Sequence, residues 1–469
     1  MKSKTFVLAG LVLLAITGLL ALAGCKNDTV SETPAAKLVS ISVTPSEGTV
    51  YNVGDEVVHK KDGEIGVTAH YDNGRTRTVT GTITTDTSTL TESAGVQTVT
   101  VRYSEGGIVV SGQFEIRVLP KKLTNYTSPN HTGSEWTYME FGEWPQTIKD
   151  DSVKVEENKS KQMGMFTYYL GSDENWYVKV TAKPYEDTYT YSDGNPVEED
   201  KVVYFKVEPI VWRVLTEDYK DPEGKSTSNA LLLAEKILTG GIPYYVDLNT
   251  RTITGAGTKE GDPNTVYPNN WQYSTIRAWL NGLDVVKSDD PLENDTTYTG
   301  KGFLQTAFTE SAQKLIELTS VDNSAASTIP SGITDEDRDY EWFWNSGENP
   351  YASDTPTKDK IFLLSEQEAT NSDYGFDEYD RWVGDDYGTT TSTRIRDTTD
   401  YAEATGAYPG DSSAGYGGWW WLRSPLCLNE YYARDIDFDG YANGRNDRDF
   451  VGYAYVGVVP ALSISLKSN

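Results

Sequence analysis

Histidine, cysteine and basic charge are what this chain has least of. Its three histidines, His59, His70 and His131, all fall in the first third of the 469 residues. Beyond them there is no His general base, no His metal ligand and no Ser-His-Asp triad. Two cysteines exclude a disulfide framework and are too few for a structural zinc site. With 70 acidic against 41 basic residues the formal net charge is −29. The basic footprint that a phosphate backbone requires is missing, which argues against nucleic acid as a partner. The acidity suits a soluble, self-repelling surface, and the length leaves room for two or three domains.

What is present begins with a targeting signal at residues 1–24. Lys2 and Lys4 precede an apolar run from Phe6 to Leu22, and Leu22-Ala23-Gly24-Cys25 closes it. The run is short and ends in small residues before a cysteine, the order of a processed signal rather than a transmembrane anchor. It resembles the bacterial lipobox. That resemblance implies cleavage before Cys25, a lipid on its thiol and attachment to a membrane of the cell envelope. Lys26, where an Asp would favour inner-membrane retention, permits delivery to the outer membrane or cell surface. Residues 25–36 read as a tether.

From Lys37 the texture becomes short alternating runs, at Leu38 to Val43, Gly66 to Tyr71, Thr98 to Tyr103 and Phe114 to Leu119. Turn signals separate them, among them Asp72-Asn73-Gly74 and Glu105-Gly106-Gly107. Several short strands in so few residues predict an all-β sandwich over 37–119. Ile41-Ser42-Val43-Thr44-Pro45, Tyr51-Asn52-Val53-Gly54-Asp55 and Gly95-Val96-Gln97-Thr98-Val99-Thr100-Val101 resemble the bacterial immunoglobulin-like modules of surface proteins, which implies a spacer. Residues 120–135 read as a linker.

A second, loop-rich α+β domain is expected over 136–466. Ile210 to Leu215 and Leu231 to Ala234 read as strands. Ser274 is placed to cap a helix through Asn281, and Ala307, Phe308, Leu315 and Ile316 have helical spacing after Gly302-Phe303. Ser365-Glu366-Gln367-Glu368 reads as a capping box. Long polar stretches at 182–201, 246–268 and 319–358 read as surface loops. The ordered series Phe141–Thr147, Ile210–Leu215, Ser274–Asn281, Lys360–Ser365, Trp420–Pro425 and Gly457–Leu462 is similar to an uncharacterised bacterial domain of unknown function. Its ending also resembles the variable proteins of diversity-generating retroelements, the treponemal variable lipoprotein type. That implies a C-type lectin fold of the formylglycine-generating-enzyme kind. The enzyme's activity is not implied, because it needs a cysteine pair and Cys427 stands alone here. Val459 departs from the family, which usually has Arg at that place.

The candidate site lies between the two apolar stretches near the C-terminus. In Asp435 to Arg445 polar residues and Tyr alternate with apolar or small ones. That rhythm predicts a strand presenting Asp435, Asp437, Asp439, Tyr441, Asn443 and Arg445 on one face, with Ile436, Phe438 and Ala442 behind. Asn429, Tyr431, Tyr432, Asp437, Asp439, Tyr441, Asn443, Arg445, Asp447, Asp449, Tyr453 and Tyr455 are the expected ligand-binding face. Such a mixture of Tyr with short polar groups resembles a paratope, and the ligand class is protein or glycan. Trp420, Trp421, Leu422 and Val458 are expected in the core. Asp435-x-Asp437-x-Asp439-Gly440 offers a weak calcium candidate that lacks a bidentate Glu at the twelfth position; otherwise no cofactor is expected. From Tyr431 to Leu466 there is no Glu, Gln, Lys, Met or Trp. Variation of Asn codons at adenines cannot reach those residues, and a strand-and-loop region also has little use for such helix formers. The reading is a non-enzymatic, surface-anchored ligand-binding lipoprotein. The alternatives are an envelope hydrolase using paired carboxylates on glycans and a structural scaffold.

Overall fold

The computed structural model describes residues 35–128, 136–186, 188–257, 263–289, 296–331, 349–377, 392–442 and 448–466. The signal segment with Cys25, and Asn443, Arg445 and Asp447 of the expected face, lie outside the described residues. The chain forms an N-terminal curled β-sheet followed by a mixed α+β region.

The first sheet contains β1 (Leu38–Ser42), β2 (Val50–Asn52), β3 (Glu64–Tyr71), β4 (Thr76–Ile83), β5 (Gly95–Glu105) and β6 (Ile108–Leu119) in the order β1-β3-β4-β5-β6-β2. All neighbours are antiparallel except β2 and β6. Gly106 and Gly107 make a two-residue hairpin between β5 and β6, and both have positive φ (59° and 81°), as a type I′ turn demands. Alternate residues of the long strands point inward. Val67, Ala69, Val99, Val101, Ile116 and Val118 are nearly or fully inaccessible and form one core.

The second region is built on a nine-stranded sheet. Its members are β7 (Lys121–Leu123), β8 (Tyr138–Ile148), β9 (Val155–Met163), β10 (Phe166–Gly171), β11 (Trp176–Thr181), β12 (Val202–Thr216), β13 (Ala230–Ala234), β18 (Ile361–Phe362) and β22 (Ala461–Ile464). β12 is its spine. One edge of β12 pairs with β11 and then β13, and the other pairs with β8 throughout. β13 is buried at every residue, which explains its unbroken Leu231-Leu232-Leu233. β7 pairs with β8 inside the segment expected to be a linker, so this sheet begins ahead of residue 136.

Small pairs β14 (Arg251–Thr252) with β15 (Thr265–Val266) and β16 (Thr319–Val321) with β17 (Thr357–Asp359) tie down the loops. The helices are short: α1 (Thr275–Asn281), α2 (Phe303–Ala307), α3 (Glu310–Gln313), α4 (Glu366–Ala369) and α5 (Asp400–Ala404). Among the described residues none is long and apolar enough to cross a membrane. Ser274 caps α1 by accepting from the Arg277 amide, and Ser365 with Glu368 forms the expected capping box on α4. The single helical run read after Phe303 is two helices. Phe308 is extended (φ −129°, ψ 133°), and the Thr309 side chain caps α3 afresh. Trp144 of β8 sits centrally in the main core, with Phe166, Trp279, Phe303 and Tyr401 ring centroids 4.9–6.0 Å away.

A third sheet, β19 (Trp420–Pro425), β20 (Tyr432–Ile436) and β21 (Arg448–Phe450), carries the candidate site. Trp420, Trp421, Leu422 and Val458 are at most 1% exposed, the core positions expected for them.

Candidate functional site

Most of the motif residues hold the fold. In β19, the buried Arg423 guanidinium donates to Glu368, to the Leu363 carbonyl at 2.7 Å and to the Asp322 carbonyl at 3.1 Å. Tyr219 completes the cluster by donating to Glu368 at 2.7 Å. Ser424 Oγ accepts from the Glu366 amide at 2.9 Å. In α1, Arg277 pairs with the buried Asp359 at 2.7 Å, and Asn281 Oδ1 accepts from the amides of Lys360 and Ile361 at 3.0 and 3.1 Å. Cys427 is half-buried in the turn after β19, and burial pushes its thiol above the ordinary value. That is the reverse of what an activated nucleophile needs.

The alternating strand expected from Asp435 to Arg445 ends at Ile436. Asp437 to Gly440 form a turn closed by bonds from the Gly440 amide to the Asp437 carbonyl (3.0 Å) and from the Asp437 amide to the Tyr441 carbonyl (3.1 Å). Gly440 takes φ 79°. Asp437 accepts from the Phe438 amide, and Asp439 Oδ1 from the Tyr441 amide at 3.0 Å. These local bonds compete with a sheet ladder and bend the chain. Asp439-Gly440 is itself a turn signal, and it outweighed the two-residue rhythm.

The single polar face is therefore not formed as expected. Asp435 is buried in β20 (3% exposed), while Asp439 and Tyr441 belong to the turn. Among the described residues no three His, Cys, Asp or Glu side chains gather as a metal-ligand set, so Asp435, Asp437 and Asp439 lack the convergence that the calcium reading requires. Asn429 shapes the turn before β20, its Oδ1 accepting from the Tyr431 amide at 2.9 Å.

The structure instead joins the remaining residues into a run of aromatic rings. Tyr431 and Tyr432 meet Phe450 at 6.1 and 5.3 Å between centroids. Phe450 meets Tyr453 at 5.6 Å, and Tyr453 stacks on Tyr455 at 4.7 Å. Tyr455 meets Trp419 at 5.5 Å and Tyr185 at 5.1 Å. Trp419 stacks on Tyr408 at 4.1 Å, and Tyr408 meets Tyr185 and Tyr189 at 5.5 and 6.3 Å. Tyr453 and Tyr185 are exposed (43% and 36%) and the others partly so. The backbone fixes this arrangement: the Tyr408 amide donates to the Tyr455 carbonyl, and the Gly241 amide to the Ala454 carbonyl, both at 2.8 Å.

Two carboxylates sit among the rings. Asp437 Oδ1 accepts from the Trp419 indole at 3.1 Å, and Asp449 Oδ1 from the Tyr455 phenol at 3.1 Å. Burial pushes Asp449 up to about 6, and the charge of Asp437 adds to the rise. Asp437 is raised by burial and by Asp439. Tyr185, Tyr189, Tyr408 and Trp419 were absent from the expected face. The tyrosines of 182–201 stand in a polar stretch readable only as loop, and Trp419 reads as the start of a buried strand.

Fold and site together define a mostly-β, multidomain protein whose C-terminal α+β region displays an aromatic, acidic face. The chain belongs to the family of the domain of unknown function DUF6273, whose profile matches residues 227–466, just over half of the chain. No curated protein and no solved structure matches it.

Proposed function

We propose that this protein is a bacterial surface lipoprotein whose C-terminal domain binds a macromolecular ligand through the aromatic face around Trp419, Tyr453 and Tyr455. In this reading Cys25 carries the lipid, the N-terminal sheet is an immunoglobulin-like spacer, and the second domain is a C-type-lectin-like display scaffold. The observation that carries the proposal is the ring run itself. Nine aromatic side chains from separate segments meet at one partly exposed surface, with two carboxylates set between them. Large rigid rings give contact area at low entropic cost, and short acids orient a partner. The kinship with retroelement-diversified proteins belongs to the same proposal. It is tested by sequencing the flanking DNA for a near-copy of the codons of residues 426–462 that differs at adenines. Binding is tested by screening the full chain and its Tyr453→Ala/Tyr455→Ala variant against surface-protein and oligosaccharide arrays. Equal signals from both would remove the face as the binding site.

One observation favours a second reading as a glycan hydrolase. Asp449, raised by burial to about 6, and Asp437, raised by burial and by Asp439, are two carboxylates on one face, the residue type that glycosidases use in pairs. Release of reducing sugar from envelope glycans, abolished by Asp449→Asn, would support it. An inactive wild-type chain would end it.

A further inference from the structure

Buried carboxylates of this region are compensated in more than one way. Asp400 is met by neutral donors, the Ile148 and Ser192 amides and the Ser192 hydroxyl, each at 2.7 Å, and three other buried carboxylates are each met by a guanidinium. Asp359 has Arg277 at 2.7 Å, Glu366 has Arg434 at 3.3 Å, and Glu368 has Arg423. Exposed acids are also widely paired, as in Lys121–Glu140 and Lys179–Glu157. Among the described residues Asp437 and Asp449 have no cationic partner. Their polar contacts are the Trp419 indole, the Phe438 amide and the Tyr455 phenol, and the charges that act on them are other carboxylates. Two half-buried acids that repel each other are costly unless something compensates them.

We propose that the missing charge comes from outside: the Asp437–Asp449 pair and the rings of Trp419, Tyr455, Tyr408 and Tyr185 form a site for a lysine or arginine side chain of a protein partner. The inference rests on the reading of this face as a binding surface. Aromatic rings offer negative faces to a cation, and the attraction grows once water is displaced. An ammonium or guanidinium between the two acids would replace their repulsion with two charge-assisted hydrogen bonds. A neutral sugar packed on the same rings would dehydrate both acids and leave the repulsion in place. A metal ion is poorly served, since two carboxylates and no third acidic, His or Cys side chain gather among the described residues. The rings continue past the pair, to Tyr189 on one side and through Tyr453 and Phe450 to Tyr432 on the other. That extent suits a basic polypeptide segment better than a free small cation. The net charge of −29 would draw such a segment in.

The test is binding of N-acetylated hexalysine, hexaarginine and hexa(acetyl-lysine) peptides to the full chain by titration calorimetry at neutral pH. Asp437→Asn/Asp449→Asn should weaken the two cationic peptides at least tenfold. Asp151→Asn/Asp193→Asn removes the same charge from exposed positions and should change binding less than twofold. The acetyl-lysine peptide should not bind. Tyr185→Ala, at an exposed ring that cannot unfold the core, should weaken the cationic peptides about threefold or more. Equal affinities for the two double-Asn variants, or no binding of either cationic peptide, would overturn the cation site. Failure of this site and of the face are separable. Chitohexaose or cellohexaose binding that is lost in Tyr453→Ala/Tyr455→Ala would make the face a glycan site instead. Silence of every probe and array would remove the face as well.

Discussion

Glu368 shows what one buried charge does in this protein. It lies under the Arg423 guanidinium, accepts from Tyr219 at 2.7 Å and closes the α4 capping box through the Ser365 amide at 2.8 Å. Its partners hold it below the usual carboxylate range despite full burial. Glu368→Ala leaves Arg423 buried and uncompensated, so unfolding in urea should show a loss of about 3–5 kcal/mol. A loss under 1 kcal/mol would mean that the pair is solvated. Other acids behave oppositely. Burial pushes Asp449 to about 6 and Glu403 to about 7. Both bind a proton more readily folded than unfolded, so their contribution is fully present below the unfolded carboxylate values and is lost as pH rises through 6 and 7. Melting should therefore occur at higher temperature at pH 5.5 than at pH 8, and Glu403→Gln should flatten that slope. A melting temperature that falls on acidification over this window would contradict the assignment.

At the scale of elements, local chemistry decided where helices start and where strands stop. The Ser274 and Ser365 caps were legible because an N-cap needs only a few neighbouring residues. Ser365→Ala should cost about 1 kcal/mol by denaturant unfolding. The helix read through Phe308 and the strand read through Asp437 failed for one reason. Short polar side chains, Thr309 in one case and Asp437 with Asp439 in the other, bind nearby amides and restart or turn the chain. Gly440, at φ 79°, fixes the turn that sets Asp437 against Trp419. Gly440→Ala should cost about 1 kcal/mol and weaken ligand binding together with stability. Binding that survives unchanged in the destabilised variant would separate the turn from the face.

Across the whole molecule, the two sheet regions touch. Arg117 Nη2 donates to the Ser465 carbonyl and Ser311 Oγ to the Val96 carbonyl, both at 2.9 Å. Ala94 and Val96 pack on the larger core, and a methyl group on Gly95 would run into Ser311. An N-terminal sheet docked in this way holds a fixed direction relative to the aromatic face. Gly95→Val should loosen the junction and speed proteolysis between the sheets, with little change in ligand affinity. Unaltered cleavage kinetics would show that the contact does not order the two parts. Under the lipoprotein proposal, Cys25→Ser should leave the chain unlipidated and move it from the membrane to the soluble fraction; retention in the membrane would refute lipid anchoring.

The sequence by itself determined features that depend on neighbours along the chain. These are four of the six strands of the first sheet (β1, β3, β5 and β6), the Gly106-Gly107 hairpin, the buried β13, the caps of α1 and α4, and the burial of Trp420 and Trp421. It also marked tyrosines and acids of the C-terminal segment as candidate site residues, and six of them, Tyr431, Tyr432, Asp437, Asp449, Tyr453 and Tyr455, share one surface. Only the tertiary structure decided their company. Tyr185 and Tyr408 reach Trp419 and Tyr455 because loops from distant parts of the chain dock beside β19 and the segment after β21. Ring contacts of that kind arise from packing between segments far apart in the chain, and local periodicity carries no record of them.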